Sequence, residues 1–159
     1  MRVGQGTDAH RFSHDEARPL VLGGVTVPSA RGLDGHSDAD VATHALCDAL
    51  LGAAGLGDLG RRSPADASTE GISSLTLLSR CRSLVEEAGF EVGNGDVTIV
   101  AQTPRLGPLL EAMAATLTAT LSAPVSVKAT TTDGLGATGR GEGIAATAVV
   151  LLTERGGTR

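Results

Sequence analysis

Phe12 and Phe90 are the only Phe, Tyr or Trp side chains in a chain of 159 residues. That length favours one domain with one real core. Aromatic rings normally supply a large share of core volume, so here Leu, Val, Ile and Ala must fill it. The 22 glycines signal tight turns or close backbone approaches. Such approaches suit an anionic ligand held by main-chain N–H groups.

Hydrophobic periodicity sets the order of elements. Residues 2–10 read as a strand, and 19–27 (PLVLGGVTV) as a second one with a bulge or turn at Gly23-Gly24. Ser37, with Asp40 three residues on, reads as a capping box for a helix over 38–54. Its apolar face is Val41, Ala45, Leu46, Ala49, Leu50 and Ala53, and Asp40, His44 and Asp48 repeat along the opposite side. The stretch 57–71 lacks apolar periodicity and reads as a mobile loop. A helix over 72–88, a strand over 91–103, a helix opened by Pro108 and a strand over 125–132 follow. The run 143–153 is a strand or a buried helix, with the strand favoured because Val149 to Leu152 offers no clear polar helical face. This order predicts an α+β single domain over 1–159: a mixed sheet of four to five strands with helices packed on one face.

The net charge is −5 and the basic residues are scattered, which speaks against a nucleic-acid partner. No apolar run approaches membrane-spanning length and no signal peptide opens the chain, so a soluble cytoplasmic protein is expected. Cys47 and Cys81 both fall in predicted helices and read as small buried side chains rather than a disulfide or metal pair.

Three groups of residues carry chemistry. Asp8 and His10 lie two apart on a strand and so share a face. With His44 they make a carboxylate–imidazole–imidazole set of the kind that holds catalytic zinc and leaves a fourth position open. Asp48, one turn beyond His44, is placed to accept that ring's second N–H or to steady a neighbour. The second group is the run Thr130-Thr131-Thr132-Asp133 and the glycines up to Gly143. Its hydroxyls and N–H groups suit phosphate oxygens, and Asp133 offers a hard oxygen to Mg²⁺ or Mn²⁺. This run contains a literal G-x-G-x-x-G from Gly134 to Gly139, but a dinucleotide fold needs a crossover helix and further strands after it. Only 20 residues remain. The third group is Asp34-Gly35-His36-Ser37 before the first helix, where an anion site and simple capping by Ser37 are compatible.

Taken with the segments RVGQGTDAHRF, LVLGGVTVP, GLDGHSDADVATHALCDALLGAAGLGDLG, DVTIVAQTPRL and VKATTTDGLGATGRGEGIAATAVVLL, these residues are specific. Over nearly its whole length the chain resembles the 2-C-methyl-D-erythritol 2,4-cyclodiphosphate synthase family of the non-mevalonate isoprenoid pathway. The resemblance implies a homotrimer with active sites between adjacent subunits and a central hydrophobic cavity suited to an isoprenoid diphosphate. It implies conversion of 4-diphosphocytidyl-2-C-methyl-D-erythritol 2-phosphate to the cyclic diphosphate and CMP. By position Asp8, His10 and His44 take the zinc role, and His36 and Thr131 match residues that stabilise the transition state. Asp133 stands where the family has a glutamate for the second metal, Mg²⁺ or Mn²⁺. Asp58, Leu59 and Gly60, with His36 and Ser37, match the sugar contacts. Ala101, Pro104, Arg105, Leu106 and Gly107 match the cytosine pocket. Thr130, Thr132 and Arg140 join the substrate contacts, while Ala137, Arg140 and Glu142 match residues near the trimer axis.

Two departures stand out. The family's Phe-Pro-Asp-Thr-Asp reads Ser63-Pro64-Ala65-Asp66-Ala67 here, so the aspartate expected on the methylerythritol falls on Ala65. A phenylalanine usual in the glycine loop is Ala137. The rival readings are a zinc phosphohydrolase on the same scaffold, which would put water into the products, and a non-enzymatic trimer that binds phosphate or isoprenoid ligands.

Overall fold

The computed structural model describes residues 1–29, 31–62 and 71–156. In chain order these form β1 (Arg2–Arg11), β2 (Leu20–Leu22), β3 (Val25–Val27), α1 (Val41–Ala54), α2 (Leu59–Arg62), α3 (Ser74–Glu87) and β4 (Phe90–Val100). A 3₁₀ turn at Gly107–Leu109 leads into α4 (Leu110–Leu121), and β5 (Val125–Thr130), α5 (Gly136–Gly139) and β6 (Gly143–Glu154) complete the set. The main sheet runs β1-β6-β4-β5, with β4 parallel to β5 and the other pairs antiparallel. This is the mixed α+β sheet that the sequence predicts.

Alternation explains why one face is covered. Along β6, Ile144, Ala146, Ala148, Val150 and Leu152 are buried, while Thr147 and Val149 between them are exposed. Helix α1 packs on β1 and β6, α4 on β5, and α3 against α1, α4 and β4. The outward face keeps Val3 at 69% and Val149 at 46% exposure. Between the layers lies one core, built from Leu, Val, Ile and Ala with Met113, Phe12 and Phe90 added. Cys47 of α1 and Cys81 of α3 are free thiols inside it. Their mutual hydrogen bond, with burial, pushes the Cys47 thiol up, while the same bond draws Cys81 down.

Several expectations shift. The 19–27 segment is not one strand: Gly23 and Gly24 both take positive φ, and β2 folds back on β3 as a two-residue hairpin. Helix α1 starts at Val41 rather than 38, because Ala39 at φ 57° interrupts a helical path. The cap is therefore Asp40, not Ser37, whose hydroxyl accepts from the Ala39 N–H instead. Fully buried Asp40 accepts from the N–H groups of Gly23, Gly24, Ala42 and Thr43 and from the Thr43 hydroxyl. It ties the hairpin to the helix start. Burial pushes its carboxyl above the ordinary value, and those donors oppose the push. In 57–71 the turn α2 forms where a loop was expected, and the altered 63–67 segment lies outside the described residues. Within the glycine loop, Gly136–Gly139 makes one helical turn.

Candidate active site

The site begins with two glycines. A Cβ at Gly4 would stand 2.0 Å from the Ala49 carbonyl oxygen, and one at Gly6 2.0 Å from that of Ala45. Only glycine lets α1 lie so close to β1. Two strand residues advance roughly 6.6 Å and four helical residues roughly 6 Å, so strand and helix stay in step. Residue 4 meets 49, residue 6 meets 45, and the next step brings Asp8 beside the turn that carries His44. Gly4, Gly6, Asp8 and His10 occupy one face of β1.

That convergence is observed. Asp8 Oδ2 lies 3.0 Å from His44 Nδ1 and 3.1 Å from His10 Nε2. One ligand atom from each of the three residues fits within 4.8 Å of the others. The Asp8 and His10 side chains are 25% exposed and His44 12%, so one side opens to a cleft. His10 Nδ1 sits 2.6 Å from the Asp34 carbonyl oxygen, which can only accept. The ring hydrogen therefore belongs on Nδ1, and the Nε2 lone pair faces the Asp8 carboxylate. Two acceptors facing each other require a cation or a proton between them. The donor set fits a divalent metal such as zinc in ligand type and orientation.

The charges respond accordingly. Burial works against the Asp8 charge, but hydrogen bonds from His10 and His44 and their positive charge outweigh it and hold the carboxyl well below the usual range. His10 is raised, chiefly by its hydrogen bond to Asp8; burial and the nearby Arg18 oppose this. The Arg18 guanidinium also hydrogen-bonds the Ser37 carbonyl.

Asp8, His10 and His44 line a cleft of about 310 Å³ together with His36, Ser37, Asp48, Leu59, Gly60, Ile72 and Leu77. Asp48 does not hold the His44 ring: its carboxylate accepts the Leu59 N–H at 2.7 Å and anchors the α2 turn. The groups on His44 Nε2 are the hydroxyls of Ser74 at 2.8 Å and Ser37 at 3.1 Å. Sequence reasoning missed Ser74 and its partner Asp38. The polar pair Ser73-Ser74 ahead of an apolar helix was the available signal. Asp58 turns to α2, accepting the Arg61 N–H and pairing with its guanidinium.

The expected cytosine contacts, with Thr130 and Thr131, line a different cavity. Ala101, Pro104, Arg105, Leu106 and Gly107 face Thr130 and Thr131 across about 450 Å³, with Gln102, Pro108 and Ala129. Thr131 donates its hydroxyl to Asp133 Oδ1 at 3.2 Å, and Asp133 takes φ 52°. Thr132 donates to the Leu135 carbonyl at 2.6 Å and meets the Thr138 hydroxyl. Arg140 pairs with Glu142 at 2.6 Å on the exposed surface, near exposed Ala137.

The fold and site have close relatives. The YgbB family matches residues 1–153. The 2-C-methyl-D-erythritol 2,4-cyclodiphosphate synthase of Syntrophobacter fumaroxidans is 57% identical over 160 residues, covering 98% of this chain and 99% of that one. The bifunctional IspDF from Campylobacter jejuni superposes with a TM-score of 0.91 at 42% identity; 96% of this chain matches 42% of that longer one. A 2C-methyl-D-erythritol-2,4-cyclodiphosphate synthase in its CDP-bound form matches with a TM-score of 0.86 at 37% identity, covering 96% of this chain and all of that one. With its two-layer fold and its Asp8–His10–His44 cluster in place, the chain belongs to the YgbB family of 2-C-methyl-D-erythritol 2,4-cyclodiphosphate synthases.

Proposed function

We propose that this enzyme closes 4-diphosphocytidyl-2-C-methyl-D-erythritol 2-phosphate into 2-C-methyl-D-erythritol 2,4-cyclodiphosphate and releases CMP. The observation that carries the reading is the meeting of Asp8, His10 and His44 within 4.8 Å at the wall of a cleft. Those three residues would hold zinc, and Asp133 would hold Mg²⁺ or Mn²⁺. Bound there, the two ions would neutralise phosphate charge and polarise the phosphoryl oxygens.

An oxygen of the 2-phosphate bonds to the β-phosphorus, and the bond from that phosphorus to the bridging oxygen breaks. CMP leaves with the electron pair. The second pKa of a phosphate monoester is about 6, so the attacking group is already anionic at neutral pH and needs no protein base. The chain's own task is alignment. His36 and Ser37, with Asp58, Leu59 and Gly60, hold the sugar portions. Thr131, flanked by Thr130 and Thr132, donates to phosphate oxygens, and Arg140 adds positive charge. Ala101, Pro104, Arg105, Leu106 and Gly107 enclose the cytosine.

The active unit is a homotrimer. Two features support it: the Asp8–His10–His44 cluster and the threonines line separate cavities on one chain, and the uncovered sheet face carries Val3 and Val149. Adjacent copies would bring unlike halves together. Ala137, Arg140 and Glu142 would then surround a central cavity for an isoprenoid diphosphate. Among the described residues no helix is long and apolar enough to cross a membrane, and two free buried thiols suit a cytoplasmic setting.

Phosphorus NMR of protein, substrate, zinc and Mg²⁺ in ¹⁸O-water tests the reading. Cyclase action gives CMP and cyclic diphosphate without the label. Label in the products would make the protein a phosphohydrolase, and no CMP from zinc-loaded protein would end the catalytic reading.

A further inference from the structure

We infer that Ser74 and Asp38 are positioning residues that hold the His44 ring in the tautomer a metal requires, an inference that rests on the metal-centre reading above. His44 is gripped from both sides, with Nδ1 3.0 Å from Asp8 Oδ2 and Nε2 2.8 Å from Ser74 Oγ. Asp38 receives two hydrogen bonds from Ser74: the hydroxyl donates to Oδ1, and the backbone N–H donates to Oδ2 at 2.9 Å. A carboxylate only accepts, and a serine hydroxyl has one hydrogen. The Ser74 proton is thus committed to Asp38. Toward His44 its oxygen can only accept, so Nε2 carries the ring hydrogen. The Nδ1 lone pair is then left facing Asp8, on the side where His10 also points.

Burial makes this ordering firm. Ser74 is fully buried, so water does not compete for its hydroxyl. The second hydroxyl near Nε2, Ser37 Oγ, accepts the Ala39 N–H and lies farther off, at 3.1 Å. The connection also spans elements: Asp38 precedes α1, Ser74 opens α3, and His44 lies within α1. Asp38 N–H meets the Ile72 carbonyl and Gly71 N–H the His36 carbonyl. The chain entering α3 is thereby fastened to the wall of the metal cleft.

The test uses Ser74→Ala, Asp38→Asn and the double variant, each titrated with zinc against a competing chelator. Loss of an outer partner of a ligating histidine costs roughly 10–100-fold in metal affinity. With Ser37 still in place, each single variant should lose about tenfold, near the low end of that range. The double variant should lose no more than the worse single one, because both act through one chain of hydrogen bonds. Losses that multiply, or affinities within twofold of wild type in folded variants, overturn the inference. A second readout needs no metal. Long-range proton–nitrogen correlation spectra of metal-free Asp8→Ala protein, in which no carboxylate competes for an Nδ1 hydrogen, should show neutral His44 protonated at Nε2. With Asp38→Asn added to that background, the amide can donate to Ser74 Oγ and release its proton toward Nε2, so the Nδ1-protonated form should grow. His44 found protonated at Nδ1 in the Asp8→Ala protein refutes the relay even if Ser74→Ala fails to fold. Wild-type protein that takes up no zinc would defeat the metal-centre reading alone, since the tautomer spectrum still decides the relay.

Discussion

Gly6→Ala is the substitution that best separates a site built by close backbone approach from one built by side chains alone. The added Cβ would sit 2.0 Å from the Ala45 carbonyl oxygen, 2.7 Å from the Ala49 nitrogen and 2.9 Å from the Asp48 Cβ. Real Cβ contacts begin near 3.0 Å, so α1 must retreat from β1 by about 1 Å. Two of the three obstacles are backbone, and no rotamer change relieves them. Overpacking of this kind costs about 1–3 kcal/mol. The same retreat carries His44 away from Asp8, where the present separation is 3.0 Å. Metal sites tolerate deviations of roughly 0.2 Å, and a 1 Å misplacement at a reacting centre costs roughly 100-fold.

Gly52→Ala supplies the control on the same helix. Its Cβ would meet nothing nearer than the Gln5 carbonyl oxygen at 4.0 Å, and alanine at a compatible site should stabilise by about 0.4–1 kcal/mol. Urea unfolding at one fixed protein concentration, with zinc titration beside it, reads both effects. Gly6→Ala should lose stability and zinc affinity together, while Gly52→Ala gains stability and keeps its zinc. Gly6→Ala within about 0.5 kcal/mol of wild type, or destabilised with unchanged zinc affinity, would refute the reasoning.

His44→Ala should lose most of its zinc while remaining folded, measured by elemental analysis after gel filtration; undiminished metal would mean a different ligand set. Asp133→Asn should weaken the Mg²⁺ dependence of turnover and leave zinc content unchanged. Val149→Glu puts a charge on the uncovered sheet face and should reduce the mass measured by light scattering to that of one chain. The pH dependence of melting temperature should change sign with metal. In chelator-treated protein the raised His10 pKa gives stability present below 6.5 and lost as pH rises through the folded value. The lowered Asp8 pKa gives stability present above 3.8 and lost only as pH falls through its folded value. Metal-free protein should therefore weaken as pH rises past 6.5. Zinc-loaded protein should strengthen over that range, since binding releases the His10 proton.

Periodicity made most of the architecture legible. Alternation in β4 and the apolar face of α1 needed no tertiary knowledge, because one buried face per element is enough to mark its type. The run 143–153 read as a strand because Val149 to Leu152 offers no clear polar helical face. The boundaries depended on single backbone angles. The positive φ of Ala39 moved the start of α1, and no propensity scale assigns that conformation to alanine. The Asp8–His10–His44 cluster was legible because spacing on a strand and the residue types both point to metal. Its supports were not. Asp48 has the right helical offset to serve His44, yet it steadies a neighbour instead, its Oδ1 accepting the Leu59 N–H. Ser74 comes from 30 residues downstream, a contact that only packing of α3 against α1 creates.

The lack of aromatic residues and the position of the metal cluster have a common cause. Large rings between β1 and α1 would hold strand and helix at ordinary separation, and Asp8 could not reach a histidine on the facing turn. Glycine at 4 and 6 with alanine at 45, 49 and 53 brings the backbones together instead. Contact this close fixes register as well as distance, because a slip along the strand would drive carbonyl oxygens into Cα atoms. The same small residues that keep bulky side chains out of the β1–α1 seam thus place Asp8 3.0 Å from His44 Nδ1. An overpacking variant such as Ala45→Leu would enlarge a fully buried side chain in the core and open that distance. Conservation of side-chain polarity alone would therefore not keep the site.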